Sequence, residues 1–342
     1  MPDLARGSAA KAWAAAAGAV AVILLGVYLS LTSGLFDMSL GDVLRTLLRL
    51  DDSQENSLVI FSFRLPRIVL AVLVGAALGM AGTVIQGVTR NGLADPGILG
   101  INAGAGFAVV AFMFLFQGTI TLTGWMGVMI RPVFGLAGGL LATVLIYFFA
   151  RERDSLDPQR LVLVGIAIGL GFGAMTLFLS LKMNPNDFEM ATVWLAGSLY
   201  SANWKFIATL LPWLVIIPPI LWYRSRGLDL LQMGEHTATG LGVAAEREKK
   251  ILLACAIALV SASVAVSGSV GFVGLIAPHM ARRLVGLRHA HVLPISGLIG
   301  AAMVVLGDYI GKTVFAPVEL AVGIVISIIG VPYFVFLLLK KK

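Results

Sequence analysis

Long uncharged apolar runs alternate with short polar ones along almost the whole chain. A helix needs about 20 mostly apolar residues to cross a bilayer. Runs of that kind fall near 12–32, 66–88, 98–117, 132–150, 161–181, 206–223, 250–267, 270–285, 292–311 and 318–339. The pattern predicts an all-α polytopic membrane protein with about ten transmembrane helices. The seventh and eighth runs are joined by a very short turn around Ser267-Gly268-Ser269. The apolar stretch Ala191–Leu199 is too short to cross and reads as re-entrant or interfacial. The first run follows Arg6 and Lys11, as a signal peptide would. No small-x-small cleavage site follows it, so a retained anchor is expected. Residues 1–342 read as one transmembrane domain, with 227–250 as a cytoplasmic loop within it.

The second run carries a different polar device at each end. Arg64-Leu-Pro-Arg67 opens it, and Pro66 is expected to fix the helix start. An acidic turn, Ala94-Asp95-Pro96-Gly97, follows its other end. Between them Gly75, Gly79 and Gly82 thin one face, so that another helix can approach closely.

Composition supports the membrane reading. The chain is 58% hydrophobic and 13% charged, against about 25% charged in soluble domains. The net charge of +7 does not point to nucleic acid, because the basic residues are scattered among loops between apolar runs. The single cysteine, Cys255, excludes a disulfide framework and a cysteine-based metal site. With the N-terminus inside, the inner segments hold 17 Lys and Arg and the outer ones 8, while the acidic residues split 9 and 9. A bias confined to the basic residues follows the positive-inside rule and places both termini in the cytoplasm.

Arg64 and Arg67 then fall outside. They read either as anchors among lipid head groups or as bidentate partners for a docking protein's carboxylates. The inner loop 227–250 contains Met233-Gly-Glu-His-Thr-Ala-Thr-Gly-Leu-Gly242. A connector needs only a few residues, so a compact helix ending in a tight turn, shaped as a plug for a cytoplasmic partner, is expected here. His279, in Gly271-Phe-Val-Gly-Leu-Ile-Ala-Pro-His-Met-Ala-Arg-Arg283, has no carboxylate or second His at helical spacing. It is read as a hydrogen-bonding side chain rather than a proton relay. Gly307-Asp-Tyr-Ile-Gly-Lys-Thr313 is one residue too short between its glycines for a phosphate-binding loop. Asp308 is expected to pair with Lys312 at helical spacing. Gly135 and Gly139, and Gly165, Gly169 and Gly173, mark close helix packing, the last three alternatively a path. The sequence carries no nucleotide loop, metal-ligand cluster or catalytic triad. No ion-coupling carboxylate is read in the span interiors, so the energy source is expected on another subunit.

These motifs together resemble a known family. Arg64-Leu-Pro-Arg67, Gln86–Asn91 through Leu93-Ala-Asp-Pro-Gly-Ile-Leu-Gly100, Gly234-Glu235 with Leu241-Gly242, Gly271–His279, and Gly330-Val-Pro-Tyr-Phe are similar to the FecCD-type permeases. These are membrane subunits of type II ABC importers for iron-siderophore, haem and cobalamin. Gly92 stands where the family usually has proline, and Lys312 where some members carry arginine. The resemblance implies a ten-helix subunit of a bacterial cytoplasmic membrane, with no cofactor and no catalysis of its own. It implies cytoplasmic ATPase subunits, an extracytoplasmic substrate-binding protein and a second permease, identical or paralogous. By matching position, Arg64, Arg67 and Lys312 would dock the binding protein. Gly234, Glu235, Ala238, Gly240, Leu241 and Gly242 would couple to the ATPase. Leu156, Asp157 and Pro158 would form the inner gate, and Gly165, Gly169 and Gly173 would line the path. Two other classes stay open at this point: an ion-coupled secondary transporter, which would need no ATPase, and a membrane enzyme using His279, which would act as an isolated chain.

Overall fold

In the computed structural model the described residues are 2–34, 36–50, 53–97, 100–116, 124–152, 155–156 and 158–339. They are helical apart from loops and one two-residue antiparallel ladder, Arg151–Glu152 with Ser155–Leu156. Among the described residues, seven helices are long and apolar enough to cross a membrane. They are α1 (Pro2–Thr32), α4 (Leu65–Thr89), α6 (Gly124–Ala150), α7 (Pro158–Ser180), α9 (Trp204–Tyr223), α12 (Ala245–Ser267) and α14 (His289–Thr313). The other expected spans are shorter helices: α5 (Ile101–Leu115), α13 (Val273–Val285) and α15 (Val322–Leu339). Short helices complete the chain: α2 (Leu40–Leu47), α3 (Gln54–Ser57), α8 (Pro185–Leu195), α10 (Ser225–Gln232) and α11 (Glu235–Gly240).

The bundle is built around α4, which packs on α9, α12, α13 and α14. The glycine face sets these distances. A Cβ on Gly75 would fall 2.3 Å from the Gly300 carbonyl oxygen, on Gly79 2.2 Å from that of Ser296, and on Gly82 2.0 Å from that of Gly274. Backbones that close leave no room for any side chain, so the expected close approach is realised. Polar groups buried in the seam are paired, as burial requires. Thr83 Oγ1 donates to Ser296 Oγ at 2.6 Å, and Gln86 Nε2 donates to the Gly274 and Leu275 carbonyls at 3.2 and 3.3 Å.

Three sequence expectations need correction. Pro66 lies in the first turn of α4, as expected, yet it does not begin the helical run. Helical backbone runs without a break from Gln54 through a π-helical segment, Leu58–Arg64, into α4. A proline ring clashes with the carbonyl four residues earlier in an α-helix. The wider π turn, closed by the Leu65 N–H to the Ile60 carbonyl, relieves that clash. The acidic turn does not stay beyond the end of the second run. It folds back into the bundle, where Pro96 and the buried Asp95 lie against Gly274 at the start of α13. Asp308, third, is a buried carboxylate within α14, where no interior carboxylate was read.

The short stretch 191–199 folds against the bundle. The Ser198 N–H donates to the Ser267 carbonyl at 2.9 Å, and the Gly323 N–H donates to the Gly197 carbonyl at 3.0 Å. The end of α8, the break between α12 and α13, and the start of α15 therefore meet at one place. Gly197 (φ +76°) and Gly268 (φ +69°) turn the chain there, in a region that favours glycine. Irregular backbone inside a membrane bundle survives only where protein satisfies it, and these exchanged hydrogen bonds do so.

Candidate functional site

At the end of the bundle where α1 stops and α4 starts, Arg64, Arg67 and Lys312 come together. They line one cavity of about 620 Å³ with Asp37, Asp308, Glu319 and Tyr200. The three cations differ in how they are used. Arg64 is buried and donates to the Leu31 and Phe36 carbonyls, clasping the loop after α1. Arg67 makes a bidentate pair with Asp308, Nε to Oδ2 at 2.8 Å and Nη2 to Oδ1 at 3.0 Å. Its Nη1 also reaches Glu319 at 2.8 Å. Asp308 thus pairs with Arg67 on α4, not with Lys312 one turn along its own helix as expected. The fork of the guanidinium matches a carboxylate in a way an ammonium does not. Lys312 is half-buried and donates to the Ser30 carbonyl at 3.3 Å.

At the opposite end, the loop after α9 folds into α10 and α11. Gly234 (φ +110°) precedes α11 and Gly242 (φ +85°) follows it. Ala238 is fully buried and fixes α11 to the bundle, while Leu241 projects with 60% of its surface exposed. Glu235 pairs with the buried Lys249 at 3.0 Å. Gly240 is an ordinary helical residue, and a Cβ there would meet nothing within 4 Å. Of these two glycines only Gly242 has the left-handed backbone that a tight turn favours. Sequence reading missed Asp229, whose carboxylate accepts from the His289 backbone N–H and contacts its ring Nδ1.

Leu156 lies in the short ladder, Pro158 opens α7, and Asp157 lies outside the described residues. Gly165 and Gly169 receive Gly100, whose Cβ would fall 2.7 Å from the Gly165 carbonyl. They serve packing at that crossing. Gly171 and Gly173 face open space. Most of α7 is unpacked, with 22% of its apolar window buried against 78% for the window that includes α4. His279 Nδ1 lies 2.6 Å from the Tyr333 hydroxyl on α15, so it engages a neighbouring helix, in keeping with its bland reading. Among the described residues no group of three or more His, Cys, Asp or Glu could hold a metal ion.

A bundle with seven candidate spans, a charged cavity at one end and a projecting helix at the other fits an α-helical membrane transport subunit. The chain belongs to the FecCD transport family, which matches residues 22–340. The iron-uptake system permease protein FeuC of Bacillus subtilis is 52% identical over 94% of this chain and 96% of its own length. The iron(3+)-hydroxamate import system permease protein FhuG of the same organism is 47% identical over 84% and 85%. A solved chain from an inward-facing metal-chelate type ABC transporter superposes with a TM-score of 0.82, at 29% identity, over 95% of this chain and 98% of its own.

Proposed function

We propose that this chain is the permease subunit of an ATP-driven importer of iron-siderophore complexes. The observation that carries this is the 52% identity to an iron-uptake permease across nearly the full length of both chains. ATP hydrolysis belongs to separate cytoplasmic subunits, and cargo arrives on an extracytoplasmic binding protein. A second permease, identical or paralogous, completes the path. Both termini and the loop 227–250 lie in the cytoplasm.

The geometry supports a division of labour. Lys312 has three donors, of which one reaches Ser30, so it is the cation best able to meet a carboxylate of the binding protein. Arg64 and Arg67 shape the same cavity from beneath. The segment Gly234–Gly242 is the coupling helix, seated on the bundle by Ala238 and presenting Leu241 to a socket in the ATPase. The open face of α7, with Gly173, lies along the path between the two permeases. Leu156, Asp157 and Pro158 gate its inner end. Rigid-body movement delivered through α10 and α11 opens that gate.

Deleting the gene in an iron-starved cell should abolish uptake of at least one radiolabelled ferric chelate. A Walker-lysine variant of the partner ATPase should match the deletion. Intact chelate uptake with lost haem or cobalamin uptake would replace the cargo and keep the transporter. Uptake that survives loss of the ATPase would overturn the ATP-driven reading.

A further inference from the structure

On the outside of the bundle α1 leaves a groove against α13 and α14, with a volume of about 770 Å³. Its walls are apolar: alanines, Gly18 and Val22 from α1, with Ile299 and Met303 from α14. Its polar lining is confined to two cations at one end, Lys11 of α1 and Arg283 in the last turn of α13. Both are exposed, and no carboxylate is among the lining residues. Gly18 opens the floor, since a Cβ there would meet nothing within 4 Å.

The dimensions and the charge specify one occupant. From Lys11 to Val22 the groove follows about 16 Å of helix at 1.5 Å per residue. That is roughly half of the ~30 Å hydrocarbon core, the depth of one leaflet. The cations stand at the end that the distribution of Lys and Arg assigns to the cytoplasm. Two cations above an apolar slot one acyl chain deep complement a lipid phosphate that carries net negative charge. A zwitterionic head group would bring its own cation to the same place. We propose that this groove is a binding site for an anionic phospholipid of the inner leaflet, held at its phosphate by Lys11 and Arg283. The lipid fills the space between α1 and α13–α14, a contact that the small side chains of α1 leave incomplete. The inference is independent of the cargo.

Purified full-length protein, delipidated in neutral detergent, is titrated with phosphatidylglycerol and with phosphatidylcholine of the same chains. Native mass spectrometry counts the bound lipid. One cation near the membrane surface contributes about fivefold to anionic lipid binding, so two give a preference of roughly 30-fold. Lys11→Gln with Arg283→Gln should bring the preference close to unity while the melting temperature in phosphatidylcholine is unchanged. Gly18→Leu keeps both cations and fills the slot, and it should weaken both lipids. Equal affinity of the wild-type protein for the two lipids would overturn the site without recourse to any variant. So would a preference that survives the double substitution, or unaltered binding in Gly18→Leu.

Discussion

The Asp229 carboxylate holds His289 twice, accepting from its backbone N–H at 3.0 Å and lying 2.7 Å from its ring Nδ1. His289 is fully buried and is the first residue of α14. The residue before it, Arg288, gives α14 no side-chain cap. A helix start leaves its first N–H groups unsatisfied, and here the missing cap comes from α10. On the same helix Leu228 packs fully buried, its Cδ2 facing Gly87 of α4. The segment that precedes the proposed coupling helix is thus fastened to the ends of the two helices at the centre of the bundle.

Replacing Asp229 with alanine leaves the backbone N–H of His289 and its ring Nδ1 without their partner, while Nε2 keeps Gln232. Loss of a partner for such groups costs about 1–3 kcal/mol. Asp229→Ala should lower the melting temperature and make 227–245 sensitive to limited proteolysis, with Asp229→Asn intermediate. Unchanged proteolysis of Asp229→Ala would show that α10 is held by other contacts.

The glycine seam gives a sharper contrast. Gly82→Ala would place a methyl group 2.0 Å from a backbone carbonyl oxygen, whereas Gly171→Ala meets nothing within 4 Å. Overpacking typically costs about 1–3 kcal/mol, and a rigid backbone neighbour argues for the upper end. Gly82→Ala should reduce folded yield and melting temperature severely. Gly171→Ala should match the wild type in a fluorescence-detected size-exclusion melt.

Periodicity and small-residue spacing made the bundle and its tightest seam legible, because both follow from rules local to one helix. The partners of Arg67 were not legible. Asp308 and Glu319 lie 241 and 252 residues from Arg67, and nothing local signals a pairing at that separation. Spacing favoured Lys312 for Asp308, but guanidinium geometry outweighed it. The re-entry of the Asp95 turn was hidden for a related reason. A polar turn between two apolar runs looks like a surface loop unless one knows that the start of α13 packs against it. Pro66 marked the start of α4, but nothing in it signalled the π-helical segment that precedes it.

The same pairing separates two roles at the outer cavity. Arg67→Gln leaves Asp308 buried without its partner, and breaking a buried pair costs about 3–5 kcal/mol. It should impair folding itself. Lys312→Gln should leave the melting temperature near wild type. It should weaken association with the binding protein severalfold and make that association less sensitive to salt. Surface plasmon resonance across a salt series measures both. Unaltered association of Lys312→Gln would remove Lys312 from docking.

Membrane orientation is testable with single cysteines. His236→Cys and Lys340→Cys, each in a Cys255→Ser background, should resist an impermeant maleimide in intact cells and react after permeabilisation. Labelling of either from outside would reverse the assignment drawn from the distribution of Lys and Arg.

The last prediction concerns the proposed coupling helix, where two neighbouring glycines should behave differently. Gly242 has φ +85°, so a side chain there is strained whatever the space around it. The backbone of Gly240 is helical and its surroundings are open within the chain. Gly242→Val should distort the turn after α11 and displace Leu241, and transport should fall with ATPase co-purification. Gly240→Ala should leave the permease as stable as wild type, since alanine favours a helix by about 1 kcal/mol over glycine. Any loss of ATPase binding in Gly240→Ala would then report a contact with the socket itself, because no contact within the chain is available to explain it. Normal transport by Gly242→Val would reduce the segment to a connector. Co-purification and transport should therefore be measured on the same preparations, with the melting temperature of the permease as the control for folding.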